Sequence, residues 1–125
     1  MAKGRQEHED HLAAVQLLGK SVSKRAGFRC EWCEGDQELR LWEYQPDQEP
    51  TEANLALICQ GCRELLAAKK PDPRRLRSLR NALWSEVPAV AEGAATLLSR
   101  CPESWVREAI EESFIDEKLK EKLLT

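Results

Sequence analysis

Along the first quarter of the chain, apolar residues recur at three- and four-residue steps: Leu12, Val15, Leu18 and Val22. That spacing puts them on one stripe of a helix. The pattern predicts a helix from about Asp10 to Gly27, with the glycine as its C-terminal cap. Residues 1–9, largely polar, are expected to form a loose tail. The period then changes to two: in "ELRLWEY", Leu39, Leu41 and Glu43 alternate with Arg40, Trp42 and Tyr44, which predicts a strand. "QPDQEPTE" reads as a loop, and "NLALIC" as a short apolar run that delivers Cys59. "QGCRELLAAKK" is rich in helix formers and is stopped by Pro71 and Pro73.

The remainder predicts helices throughout. "PRRLRSLRNALW" places Leu76, Leu79 and Leu83 on one stripe with its arginines mostly outside. Ser85 is the expected N-cap of a helix running to about Ser99, with Pro88 in its first turn, where a missing N–H costs nothing. Pro102 is expected to start a further helix carrying Trp105, Val106, Ala109, Ile110 and Phe114. Asp116 is the expected cap of a last helix, "EKLKEKLL". Three segments result: a tail and helix over 1–24, a compact module over 25–70, and a helical extension over 71–125.

The 125 residues are 33% charged and 42% hydrophobic, a globular mixture, and no apolar run approaches the roughly 20 residues of a membrane span. "MAKGRQEHEDHL" has early basic residues with no apolar stretch behind them, so no export signal is read and the expected location is the cytoplasm. There thiols stay reduced, and paired cysteines more often mean metal or catalysis than disulfides.

Two C-x-x-C pairs, Cys30/Cys33 and Cys59/Cys62, are separated by 25 residues. They supply four thiolates, the number a tetrahedral structural zinc takes, and each two-residue gap lets both sulfurs of a pair face one ion. Gly35 and Gly61 suit tight turns around such an ion. A redox motif explains one pair and not two, and the spacing is not that of common ferredoxins, although four-cysteine iron–sulfur ligation stays open. The metal is expected to be one structural zinc. Residues Arg29–Lys70 are too few and too acidic to bury a core alone, and are expected to lose their fold without it. Cys101 lacks a partner at metal spacing and reads as a buried structural thiol. His8 and His11 read as exposed histidines of the tail.

Charge is unevenly laid out. Residues 1–29 carry six basic and three acidic residues, residues 31–52 carry eight acidic residues against Arg40 alone, and "PRRLRSLR" holds four arginines in eight positions. Solvated faces account for most such runs. Lys24, Arg25, Arg29, Arg63, Arg74 and Arg75 are the candidate nucleic-acid contacts, with Trp32 placed either to stack on a base or to cover the apolar side of the metal. The acidic block argues against one continuous polyanion-binding surface. Trp42, Trp84 and Trp105 lie on apolar stripes and read as core. A stripe of Ile110, Phe114, Leu119 and Leu123 packs within the chain or docks on a protein partner.

Read together, helix, C-x-x-C, strand, loop, "NL", C-x-x-C and helix resemble the zinc-bound frame of HNH-type treble-clef proteins. The resemblance implies a small α+β zinc-binding module, treble-clef or HNH-like, with an α-helical C-terminal extension. Against the family's "L-x-V-D-H-I-x-P" strand this chain reads Leu39 to Pro46, with Glu43 at the position of the general-base histidine. Asn54-Leu55 fits the "N-L", and Arg63 stands where the signature's final histidine would be. The frame is present without the histidine that would activate water. A nuclease rebuilt around Glu43, Asn54 and an imported divalent ion is the enzymatic alternative; the expected protein is not an enzyme.

"RCEWCEG", "LWEYQP", "LICQGCR" and "ALWSEVPAV" also resemble the N-terminal zinc-binding region of PhnA-type proteins, bacterial proteins named for an alkylphosphonate-utilisation operon. The resemblance implies a zinc-binding module, and phosphonate metabolism only through the operon's name. Members of that family continue into a small β-rich C-terminal domain, whereas this chain ends at Thr125 in a predicted helix.

Overall fold

A computed structural model describes residues 2–125, with side chains from residue 6 onward. Met1, the first residue of the expected tail, lies outside the described residues.

The first helix, α1, runs Ala2–Arg25, 24 residues or about 36 Å. The expected tail at 2–9 is therefore helical. Its polar residues carry helix rather than loop because no proline interrupts them, and the Gln6 amide donates to Asp10 one turn on at 2.9 Å. Only the C-terminal half of the apolar stripe is covered: Val22 is buried and Val15 and Leu18 partly so, whereas Leu12 is exposed. Gly27 ends the helix as expected. It sits at φ 65°, its N–H donates to Lys24 O at 3.1 Å, and Phe28 N–H donates to Ser23 O at 2.9 Å, the paired bonds of a Schellman cap.

Strands β1 (Arg40–Glu43) and β2 (Leu55–Ile58) form a two-stranded antiparallel sheet with Trp42 opposite Ala56 and Glu43 opposite Leu55. A 3₁₀ turn over Glu52–Asn54 leads into β2. The sheet is covered on both faces. Leu41, Leu55 and Leu57 pack on α1 with Val22, while Trp42, Ala56 and Ile58 face the helical extension. Burial on both faces explains why β2 reads as an unbroken apolar run.

Helix α2 (Gln60–Ala67) ends before either proline, and the Arg100 guanidinium donates to Leu66 O at 2.9 Å near its end. The segment expected as one helix over "PRRLRSLRNALW" is instead a single α turn, α3 (Pro73–Leu76), followed by a 3₁₀ helix over Arg77–Trp84. The expected stripe of Leu76, Leu79 and Leu83 is buried, and the tighter winding brings Ala82, three positions after Leu79, inward beside Leu83.

Helix α4 (Pro88–Leu98) is the centre of the fold, built of small residues that let neighbours approach. Its N-cap is Val87 rather than the expected Ser85, whose hydroxyl instead accepts from Val87 N–H at 3.1 Å. Helix α5 (Ser104–Glu112) stops short of Phe114, which is 84% exposed; Ile115 takes the buried place the stripe had assigned to it. Helix α6 (Glu117–Leu124) begins where expected, with Asp116 accepting from the N–H groups of Lys118 and Leu119. One cluster of buried side chains runs from Cys30 and Trp32 through Ile58 and Leu65 to Val106 and Ile110, so the cysteine-bearing segment shares its core with the extension. Among the described residues, no helix is long and apolar enough to cross a membrane.

Candidate metal centre

The two cysteine pairs arrive on different supports. Cys30 follows the α1 cap, and its N–H donates to Gly35 O at 2.7 Å while Glu34 N–H donates back to Cys30 O at 2.9 Å, closing a knuckle. The left-handed residue of this turn is Glu34, at φ 68°, and not the glycine after it. Gly35 supplies room instead: a methyl there would sit 3.3 Å from Cys33 Sγ and 3.9 Å from Cys59 Sγ. The second pair lies at the start of α2, with Cys59 as N-cap and Cys62 in the first turn, where unpaired backbone N–H groups favour thiolates. The knuckle is tied to the sheet by Glu31, whose N–H donates to Leu57 O at 2.8 Å and whose carboxylate accepts from Leu57 N–H at 2.9 Å.

The four sulfurs converge. Cys30, Cys33, Cys59 and Cys62 Sγ atoms all lie within 4.8 Å of one another, with Cys30–Cys62 at 3.6 Å and Cys33–Cys59 at 3.5 Å. Four thiolates at about 2.3 Å from a central ion stand about 3.8 Å apart in a tetrahedron, close to these separations. Both of these contacts cross between the pairs and far exceed a disulfide bond of about 2.05 Å; all five cysteines are free thiols. Cys30, Cys59 and Cys62 are buried and Cys33 half-buried, so the cluster faces inward.

Its acidities show what such crowding demands. The Cys30 thiol is held down at about 5, chiefly by the hydrogen bond with Cys62 and further by backbone N–H groups. Cys33 is pushed up to about 11, mainly by burial. Cys62 is driven upward by its bond to Cys30 and by burial. Neighbouring sulfurs therefore cannot all ionise by themselves, and a cation among them removes the conflict. The donor set fits a soft or borderline metal. Cys101 is buried elsewhere, as expected.

The other sequence candidates separate into used and unused groups. Trp32 is 2% exposed and its indole N–H donates to Val90 O at 3.1 Å, so it covers the cysteine cluster from the core side and offers no face to a base. Arg25 spends its guanidinium on Glu31 and on the carbonyls of Glu52 and Leu55. Arg63 spends one nitrogen on Glu38 O and Ile58 O. Lys24, Arg29, Arg74 and Arg75 are exposed; among the described residues Arg75 pairs with Glu64 at 3.7 Å, and no such pair engages the other three. Trp84 and Trp105 are half-buried, each with an arginine, Arg80 or Arg77, stacked 5.5 Å from its ring.

His8 is exposed, as expected, but His11 is not a tail residue: it is half-buried, with Nε2 2.5 Å from Glu43 Oε1, a contact that fastens α1 to β1 and that spacing alone does not reveal. Asn54 is buried and clamps Gln45, accepting from its N–H and donating to its carbonyl, both at 2.9 Å. Glu43 and Asn54, the two residues a rebuilt nuclease would need, are thus engaged in holding the fold. No known protein family, no curated protein and no solved structure matches the chain.

Proposed function

We propose that this chain is a non-enzymatic structural-zinc module of the PhnA type, with a treble-clef-like frame in which one ion locks two knuckles against a helical extension. The observation that carries this reading is the convergence of Cys30, Cys33, Cys59 and Cys62 sulfurs within 4.8 Å. The buried, closed four-thiolate setting, with no open position for substrate, supports a structural zinc. When bound, the ion supplies charge compensation and a crosslink between knuckles. Elemental analysis of the purified full chain tests it: one zinc per chain is the expected result. Visible absorption from an iron–sulfur cluster, or no metal at all, would overturn it.

The partner reading that Lys24, Arg29 and Arg74 favour is nucleic acid, because these exposed cations carry no ion pair among the described residues. Titration of labelled single- and double-stranded DNA and RNA at rising salt tests it. Binding at low salt that falls steeply with ionic strength is expected. No binding at low salt rejects it and leaves a protein partner, to be sought by pull-down from the native host.

A further inference from the structure

Zinc held by four thiolates carries two surplus negative charges, and the knuckle around it is itself acidic, with Glu31, Glu34, Asp36 and Glu38 close in sequence. A centre of this kind needs a nearby cation. Arg63 points its nitrogen at backbone carbonyls, and Arg25 is taken by Glu31. One arginine stands where it is needed. A methyl placed on Gly61 would meet Arg75 Nη2 at 2.7 Å and Cys59 Sγ at 3.8 Å. The Arg75 guanidinium therefore fills the space of the missing Gly61 side chain between the two cysteines of the second pair, a space that the Cys59 sulfur also borders.

Resting on the zinc reading above, we infer that Arg75 is the charge partner of the metal centre, contributed by the helical extension, and that Gly61 is glycine to admit it. The backbone that carries Arg75 is firmly placed. Asp72 caps its turn by accepting from Arg74 N–H at 2.9 Å, Pro73 opens it, and Leu76 anchors it with no exposed surface. Glu64, one helical turn beyond Gly61, pairs only with Nη1, at 3.7 Å and largely exposed to solvent, and it is Nη2 that occupies the Gly61 space. Metal retention is thereby linked to docking of the extension, although the extension donates no ligand.

The test uses the zinc-loaded full chain and follows transfer of zinc to an excess of a coloured chelator. Arg75→Ala should release zinc roughly three- to fivefold faster at low salt, the range of a partly exposed ion pair. Gly61→Ala should do the same while leaving the charge in place, because the added methyl displaces the flexible guanidinium; alanine is the better helix former, so its far-UV spectrum should not weaken. Both differences should fade at about 1 M salt, where the screening length is a few ångström. Release at the wild-type rate by Gly61→Ala and Arg75→Ala at low salt, or a difference indifferent to salt, overturns the inference. A wild-type chain that takes up no zinc overturns the metal reading itself, which is a separate result.

Discussion

The indole N–H of Trp32 donates to the carbonyl of Val90 across 58 positions of sequence, at 3.1 Å. This bond runs from the first cysteine knuckle to α4, and the same indole packs edge-on to Trp42 with ring centroids 5.0 Å apart. Both rings fit only because position 93 has no side chain: a methyl on Gly93 would lie 2.7 Å from Trp42 and 3.0 Å from Trp32. Trp32 is buried and Trp42 half-buried against it, so neither bulky ring swings away freely. Gly93→Ala should therefore destabilise the protein by about 2 kcal/mol, despite the helix-forming advantage of alanine. Urea melts followed by tryptophan fluorescence would measure it; unchanged stability would mean the rings are not wedged.

Metal removal should be felt beyond the knuckles, since their residues share a core with the extension. Stripping the ion leaves four sulfurs that cannot all ionise together, and in zinc-finger peptides the lost term is about 10–16 kcal/mol. The expected outcome is loss of amide-exchange protection in β1 and β2, a lower melting temperature, and collapse of the near-ultraviolet tryptophan signal as Trp32 loses its place. Serine at Cys30, Cys33, Cys59 or Cys62 should each reproduce this, whereas Cys101→Ser should leave metal content unchanged. A metal-free sample with the spectrum and melting of the loaded protein would contradict it.

Much of this was legible in the residues. The cysteine spacing named all four members of the cluster, because each C-x-x-C pair is local and two pairs together supply the four ligands a tetrahedral ion takes. The first strand, the Gly27 cap and the Asp116 cap were readable because each shows in neighbours within a few residues, whereas β2, covered on both faces, read only as an apolar run. What escaped was what tertiary partners decide. His11 belongs to the fold through Glu43, a residue 32 positions away. The 3₁₀ winding of Arg77–Trp84 escaped because Leu76, Leu79 and Leu83 are buried under either winding, so the stripe does not separate the two over so short a span. Arg25 and Arg63 look like free cations in sequence and become structural only where chain reversals bring carbonyls to them.

The His11–Glu43 pair carries its own expectation. It joins α1 to β1, so Glu43→Ala or His11→Ala should cost about 1 kcal/mol and loosen α1, seen as faster amide exchange along that helix. Plasmid DNA incubated with the wild-type chain and magnesium or manganese should stay intact. Metal-dependent cutting abolished by Glu43→Ala would instead assign that carboxylate a catalytic task.

Glu92 gives a pH dependence. It accepts from the Tyr44 hydroxyl at 3.3 Å, and its carboxyl is raised above the ordinary 4.5, chiefly by burial, with Tyr44 pulling the other way and Asp116 adding to the rise. A carboxyl whose folded value is raised contributes stability that is fully present below its unfolded value and lost as pH climbs through the folded one. Glu92→Gln keeps the hydrogen-bonding shape and cannot ionise. The melting-temperature gap between variant and wild type should thus shift in the variant's favour as pH rises from about 4.5 toward neutrality. A gap that is flat with pH would show that Glu92 ionises freely.

Phe28 follows the α1 cap at φ 58°, a left-handed backbone that a bulky residue adopts at a cost, and its ring is 63% exposed. The strain is imposed from both sides. Its N–H is committed to Ser23 O at 2.9 Å, and two residues later Cys30 must enter the cluster. Because the ring buries little, replacing it with glycine sacrifices little packing and relieves about 1 kcal/mol of backbone strain, part of which the freer unfolded chain takes back. Phe28→Gly should therefore be neutral to stabilising in chemical melts, the reverse of the usual sign for a glycine introduced in place of a large residue. A loss above about 1 kcal/mol would reveal that the exposed ring is held by contacts that its exposure conceals.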